Sequence, residues 1–151
     1  DAYYPEYWRD KTLFQAERKY FEDTLMLVQR HEDFDVLAHL TYISKPRIHP
    51  THTPVKLEEH RDVIAAILET LVAKGKGLEI NTSGMGRCGA FLPDRPILEL
   101  YRDLGGRIVT VGSDAHDAHR VGEYTHEAVA LAKAVFGHVC TFENRQPVFH
   151  R

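Results

Sequence analysis

The feature that most constrains the fold of this chain is a regular alternation of short apolar runs with longer segments whose apolar residues recur at helical spacing. The apolar runs begin near residues 36, 77, 107 and 138, and a helical pattern precedes each of them. Strands that alternate with helices at this interval favour a parallel sheet with right-handed crossovers. We therefore predict an α/β fold of parallel strands alternating with helices, in a single domain that spans residues 1–151.

The predicted helices carry sequence signals at their starts, where Thr12 and Asp94 are suitable N-cap residues. We expect residues 1–11 to form a loop. Two further loops, at residues 41–56 and 82–93, follow the first two strands, which is where functional residues are commonly found. The helices are expected at residues 12–31, 57–73, 94–104 and 121–136.

The composition excludes several classes of partner. The net charge is −3 with ten histidines counted as neutral, so the chain has no basic field to hold nucleic acid by its phosphates. No apolar stretch reaches the roughly 18 residues of a membrane span, and no secretory leader opens the chain. Two cysteines, Cys88 and Cys140, do not make a disulfide framework. We expect a cytoplasmic protein with reduced thiols and no nucleic-acid or membrane partner.

Polar residues of the kind that bind metals follow the ends of three predicted strands. His39 ends the first strand, Asn81 the second, and Asp114 and His116 follow the third. Parallel α/β architectures bind ligands at that edge of the sheet. Asp114 and His116 are two residues apart, so on an extended backbone both side chains leave the same face. A carboxylate and an imidazole aimed at one point suit a divalent metal of intermediate softness, which predicts a metal-dependent hydrolase.

Each of these residues also has a purely structural interpretation. His39 could be a buried histidine bonded to a backbone carbonyl, and Asp114 could be a turn or capping aspartate. Glu79 and Asn81 share one face of the second strand. If that face points inward, a carboxylate there needs a partner or a metal; if it points to solvent, the pair has no functional meaning.

The glycine-rich segment at residues 83–89 could wrap its amides around an oxyanion, with Arg87 contacting a phosphate. It does not match a P-loop, because no Lys-Ser/Thr pair follows. The alternative is an ordinary flexible loop between a strand and a helix. Lys45 and Arg47, in the loop after His39, could also face a phosphate or be solvated.

Three segments resemble the later motifs of the polymerase-and-histidinol-phosphatase (PHP) superfamily. They are Asp-Val-Leu-Ala-His-Leu at residues 35–40, Leu-Glu-Ile-Asn-Thr-Ser-Gly at 78–84, and Gly-Ser-Asp-Ala-His at 112–116, followed by Val121-Gly122. The likeness extends through Pro-Val-Phe at 147–149 and covers nearly the whole chain. The second segment favours the histidinol-phosphatase branch over the polymerase-associated one.

This resemblance implies a distorted (β/α)7 TIM-like barrel with a site for up to three divalent metals, which could be Zn, Mn or Fe. By motif, His39, Asp114 and His116 would each bind a different metal, and Asp114 and His116 would act in catalysis. Glu79 and Asn81 would support the strand end that faces the pocket.

The chain also departs from the superfamily pattern. The basic residue that binds the substrate phosphate falls on Arg87, whereas the family more often has it one position earlier, where this chain has Gly86. Thr41 stands where the family commonly has an aspartate. The opening His-x-His strand, the further histidines and the bridging glutamate are absent. Because such a barrel needs roughly 250 residues, we expect this chain to be its C-terminal portion, with incomplete metal shells and poor activity when isolated.

The function implied by the resemblance is hydrolysis of a phosphate monoester, with L-histidinol phosphate as the substrate in histidine biosynthesis. Two alternatives stay open at this point. One is a PHP phosphoesterase that acts on a nucleotide or an oligonucleotide end. The other is an inactive half-barrel that serves as a binding module.

Overall fold

The computed structural model describes residues 5–45 and 53–151. Six α-helices and five strands lie in these residues, together with three short 3-10 helices at Tyr42–Ser44, Thr82–Gly84 and Ala118–Arg120. The helices are α1 (Pro5–Trp8), α2 (Leu13–Arg30), α3 (Leu57–Ala73), α4 (Met85–Cys88), α5 (Arg95–Asp103) and α6 (Thr125–Phe136). The strands are β1 (Val36–Leu37), β2 (Gly77–Asn81), β3 (Val109–Gly112), β4 (Val139–Glu143) and β5 (Gln146–His150).

The first three strands form a parallel sheet in the order β1-β2-β3, as the alternation of strands and helices predicts. Leu78 of β2 pairs with Leu37 on one side and with Val109 on the other. This register brings the C-terminal ends of all three strands to one edge of the sheet. Residues that directly follow the strands are therefore neighbours in space although they are far apart in the chain.

The expectation of a fourth parallel strand is wrong. β4 instead pairs antiparallel with β5, a strand that we did not predict, with Val139 opposite His150. The two strands are joined by Asn144 and Arg145, whose φ angles of 50° and 64° are both positive, as in the tight hairpin turns that match strand twist. Strand pairing depends on this turn and on non-local contacts, so the apolar run of β4 alone does not reveal its partner.

The long helices lie close to their predicted positions. α2 begins with a capping box, in which the Thr12 hydroxyl accepts from the Gln15 backbone at 3.2 Å and the Gln15 side chain accepts from the Thr12 backbone at 2.9 Å. α6 begins at residue 125 rather than 121, because Gly122 and Tyr124 have positive φ angles of 79° and 57° that interrupt a helix.

Two predicted loops contain helical turns. Residues 5–8 form α1, within the segment that we expected to be irregular, and Trp8 is buried there. The glycine-rich segment after β2 is a 3-10 helix that continues directly into α4, so it is not the flexible loop considered as one alternative. At the start of α5, Asp94 occupies the N-cap position without a side-chain capping hydrogen bond.

The core is formed where the helices pack on each other and on the parallel sheet. α2 packs against α3, α3 packs against β2 and α5, and α6 packs against β2 and β3. Leu78 and Ile80 of β2 and Ile64 and Ile67 of α3 are fully buried. In the part of the chain that the structure describes, no helix is both long enough and apolar enough to cross a lipid bilayer.

Candidate functional site

The backbone leaves the extended conformation at the ends of β1 and β3. His39 has φ 37° and Asp114 has φ 50°. These values lie in the left-handed region of backbone conformation, which residues other than glycine rarely adopt. Each such residue costs of order 1–3 kcal/mol, and such strain is concentrated at functional sites. Because β3 ends at Gly112, strand alternation does not orient Asp114 and His116, and the argument that both side chains leave one strand face is wrong.

Glu79 connects the ends of β1 and β2. Its Oε2 accepts hydrogen bonds from the His39 backbone N–H at 3.1 Å and from Asn81 Nδ2 at 3.0 Å. Its other oxygen lies against Gly112 of β3, where a Cβ atom would come within 2.1 Å of Oε1. Asn81 is only 1% exposed, so the strand face that carries Glu79 and Asn81 points inward. Both side chains have hydrogen-bond partners there.

Ser83 extends this network to the end of β3. Its hydroxyl donates to Asn81 Oδ1 at 2.6 Å, and its oxygen lies 3.3 Å from Asp114 Oδ2. The Ser83 backbone N–H also donates to Asn81 Oδ1, at 3.1 Å. A continuous chain of polar contacts thus joins the His39 backbone to the Asp114 carboxylate across all three strand ends.

Lys45 forms a salt bridge with the Asp114 carboxylate. Its Nζ donates to Asp114 Oδ2 at 2.8 Å, and the lysine side chain is only 8% exposed. Burial raises the pKa of the Asp114 carboxyl, but the hydrogen bond and charge of Lys45 outweigh it, so that the pKa lies below its usual value. His116 and His39 also lower the same pKa electrostatically, and His116 Nδ1 lies 3.9 Å from Asp114 Oδ1.

The two histidines differ in exposure and in hydrogen bonding. His39 Nδ1 is buried and has no hydrogen-bond partner among the described residues, so this nitrogen is not bonded to a backbone carbonyl there. The His116 side chain is 82% exposed, and its Nδ1 lies 2.8 Å from the Asp114 carbonyl oxygen, which can only accept. Nδ1 therefore donates to this carbonyl, and Nε2 is the ring nitrogen that does not take part in the contact.

The predicted phosphate-binding residues have different outcomes. Arg87 lies on α4, which begins two residues after Ser83, and its side chain is exposed. Arg47 lies outside the described residues. Sequence reasoning missed Arg120, whose Nη2 is 3.9 Å from the position that a Cβ atom would take on Gly86. Arg120 donates from Nε to Glu123 at 2.8 Å and interacts electrostatically with Asp114, and no local sequence pattern distinguishes it from a solvated arginine.

These residues fit a divalent cation. An aspartate, two imidazole groups and an ammonium group already held against the aspartate mark a place that attracts positive charge. His39 has a buried nitrogen that a cation could satisfy. Their ligand atoms do not converge tightly, however. Among the described residues, a tight group of ligand atoms lies elsewhere. It is formed by Glu17, Glu59 and His60, whose ligand atoms all lie within 4.8 Å of one another.

Comparison with known proteins gives a consistent set of relatives. No protein-family profile matches the chain. A probable histidinol-phosphatase of Thermotoga maritima is 41% identical over 116 residues, which cover 77% of this chain and 47% of that protein. A histidinol-phosphatase of Lactococcus lactis is 33% identical over 140 residues, which cover 91% of this chain and 51% of that protein.

A solved structure is similar over almost the whole chain. It is the crystal structure of histidinol phosphate phosphatase from Lactococcus lactis in complex with zinc, L-histidinol and phosphate. The TM-score is 0.78 at 27% sequence identity, and the match covers 95% of this chain and 54% of that one. The chain thus spans about half the length of the relatives that it matches.

Proposed function

Because the chain belongs to the histidinol-phosphatase-type PHP family, we propose that it forms part of a metal-dependent phosphomonoester hydrolase. Its substrate would be L-histidinol phosphate, which is hydrolysed to L-histidinol and phosphate in histidine biosynthesis. The observation that carries this proposal is the polar network that joins the ends of the three strands, from the His39 backbone through Glu79, Asn81 and Ser83 to the Asp114 carboxylate.

His39, Asp114 and His116 are the proposed metal ligands. Each of the three residues is proposed to bind a different ion, up to three in all. Mixed oxygen and nitrogen ligands suit Zn, Mn or Fe, and the similar crystal structure contains zinc. When bound, such ions supply Lewis acidity that lowers the pKa of water and neutralises charge on phosphoryl oxygens.

The remaining side chains at this edge either position the proposed metal ligands or bind the phosphate of the substrate. Glu79 and Asn81 hold the ends of β1 and β2 in place, so that the ligand groups are fixed before substrate arrives. Arg87 and Arg47 are the proposed phosphate-binding residues. We add Arg120 to them, because its guanidinium lies beside Gly86 and near Asp114.

The proposed architecture is the C-terminal portion of a distorted (β/α)7 barrel. Among the described residues β1 pairs only with β2, so its outer edge is open. Beside that edge lies a largely apolar groove of ≈ 320 Å³, and Leu27 on its rim is 52% exposed. An open parallel edge with an uncovered apolar groove is what a barrel presents where neighbouring strands and helices are missing. The groove residues are Leu27, Val28, His31, Asp33, Phe34, Val36 and Leu37.

The partner in this proposal is a small phosphate ester, and the location is the cytoplasm. A net charge of −3 argues against a polynucleotide substrate, because binding to nucleic acid is dominated by basic contacts with phosphates. An inactive binding module is the competing outcome, and the experiment below separates it from an enzyme.

The test is phosphate release from L-histidinol phosphate by the protein expressed from the complete reading frame that contains this sequence, after loading with Zn or Mn. Asp114→Asn removes a metal ligand, so we expect kcat/KM to fall by more than the roughly 10–100-fold that loss of a supporting residue costs. Asp117→Asn, at an exposed position of the same loop, is the matched control and should retain activity.

Two results would contradict the proposal. One is full activity of the Asp114→Asn protein. The other is a metal-loaded wild type that hydrolyses nucleotides or oligonucleotide ends, or no phosphate ester at all, while leaving L-histidinol phosphate intact. The last case would support the inactive module.

A further inference from the structure

A second group of ligand-type side chains lies between two helices and shares no residue with the strand-edge site. Glu17 of α2 and Glu59 and His60 of α3 each offer an atom, and these atoms all lie within 4.8 Å of one another. His60 Nε2 is 2.9 Å from Glu17 Oε2. The side chains of His60 and Glu17 are 0% and 3% exposed, whereas that of Glu59 is 46% exposed.

The backbone of α3 explains how two adjacent residues reach the same point. On a regular helix, neighbouring side chains point about 100° apart around the axis. His60 departs from helical geometry, with φ −132° and ψ 21°, so α3 is kinked one turn after its start. The His60 ring is also fixed by aromatic neighbours, since Phe14 stacks on it at 4.8 Å and Phe21 lies 5.4 Å away.

The chemistry of the group suits a cation. A carboxylate buried to this extent needs a compensating charge or hydrogen bonds, and His60 is one of the partners of Glu17. The other ring nitrogen of His60, Nδ1, is buried and has no hydrogen-bond partner among the residues that the structure describes. Because Nε2 is the nitrogen that faces Glu17, it is the ring atom proposed to bind the cation, and Nδ1 takes no part.

Distances in the group are compatible with shared coordination. Zinc binds imidazole nitrogen and carboxylate oxygen at about 2.0–2.2 Å, so two ligand atoms of one tetrahedral ion stand about 3.3–3.6 Å apart. The His60–Glu17 contact is 2.9 Å, so the two atoms would have to separate by only about 0.5 Å to share an ion. Lys56 Nζ is 3.8 Å from Glu59 Oε1, which is an exposed ion pair of little strength that Glu59 can give up.

We propose that Glu17, Glu59 and His60 form a binding site for a divalent cation of the zinc type, which ties α2 to α3. Two ligands are buried and one is half-exposed, so the open side of the ion is left for water. The role is structural, because the site joins two helices that already pack together. The inference does not depend on the phosphatase proposal.

The experiment titrates Zn²⁺ into metal-stripped protein in competition with a chromogenic chelator. It uses the His39→Asn/Asp114→Asn/His116→Asn background, in which all three proposed ligands of the strand edge are removed. We expect one zinc ion still to bind per chain and to raise the Tm. Glu59→Gln should weaken this binding at least tenfold, whereas Glu58→Gln, at the neighbouring exposed position, should leave it unchanged.

Glu59→Gln decides the question because Glu59 is exposed and its substitution leaves the buried pair intact; circular dichroism checks the fold. X-ray absorption of the bound zinc should report one imidazole among oxygen ligands, and this signature should disappear in His60→Gln if that variant folds. Zinc binding that is equally tight in the Glu59→Gln and Glu58→Gln proteins would overturn the proposal, as would the absence of any bound zinc in the triple-mutant background.

Discussion

Glu79 is the side chain through which the three strand ends are held together. One of its oxygens accepts two hydrogen bonds, from the His39 backbone and from Asn81, while the other lies against Gly112. Glycine is required at that position because the carboxylate occupies the space of a side chain. Because Gly112 on the neighbouring strand has no Cβ atom, the Glu79 carboxylate can lie beside the proposed metal ligands.

Substitution of Gly112 by alanine tests this arrangement. The new Cβ would lie 2.1 Å from Glu79 Oε1, so the carboxylate must move and lose its contacts with His39 and Asn81. We expect the free energy of unfolding to fall by about 1–3 kcal/mol, as for other overpacked sites, measured by urea denaturation.

Gly86→Ala is the matched control for this experiment. The nearest atom to a Cβ there is Arg120 Nη2 at 3.9 Å, and the position lies within a helical turn. It should cause no loss of stability. Equal stability of the Gly112→Ala and Gly86→Ala proteins would show that Glu79 is not held as described.

At the scale of elements, the β4–β5 hairpin is fixed to the parallel sheet by its turn. Arg145 Nε and Nη2 donate to the two oxygens of Asp35 at 2.9 and 3.1 Å, and Nη1 donates to Asp33 at 2.7 Å. Asp35 directly precedes β1 and Asp33 lies two residues before Asp35, so one guanidinium connects the start of the sheet to the last hairpin. These hydrogen bonds and the charge of Arg145 hold the pKa of Asp35 below its usual value.

Arg145→Gln gives a pH-dependent prediction. Because the pKa of Asp35 is lower in the folded state, the contribution of this pair is present above the unfolded-state pKa of about 3.9 and is lost as pH falls through the folded value. We expect the variant to be less stable than wild type at about pH 6 and the difference to vanish in strong acid. The control is Arg61→Gln on an exposed position of α3. A difference that is constant with pH would contradict the account.

The elements differ in how well the sequence predicts them, and the reason is locality. The spacing of apolar residues predicts α2 and α3, and Thr12 also predicts the start of α2. These helices can be predicted because their hydrogen bonds and caps form within one segment of the chain. The partner of β4 does not follow, because it depends on a turn through Asn144 and Arg145 that lacks the common Asn-Gly signature. The kink at His60 likewise has no sequence signal.

At the scale of the whole molecule, the site is an outcome of strand order. Parallel pairing brings residues 39, 79–83 and 114–116 to one edge, and this part of the site could be predicted from the alternation of strands and helices. The contact of Lys45 with Asp114 and the approach of Arg120 to Gly86 could not, since both depend on the path of loops between elements. The roles of His39, Asp114 and His116 as metal ligands stay predictions.

Anomalous X-ray scattering at the zinc edge, from crystals of the protein of the complete reading frame grown with zinc, would locate any metal ions at the ends of the three strands. We expect zinc peaks within coordination distance of His39, of Asp114 and of His116 Nε2, with Lys45 Nζ displaced from the Asp114 carboxylate. Fully occupied zinc elsewhere, with Lys45 still bonded to Asp114 and no peak at this edge of the sheet, would contradict this expectation.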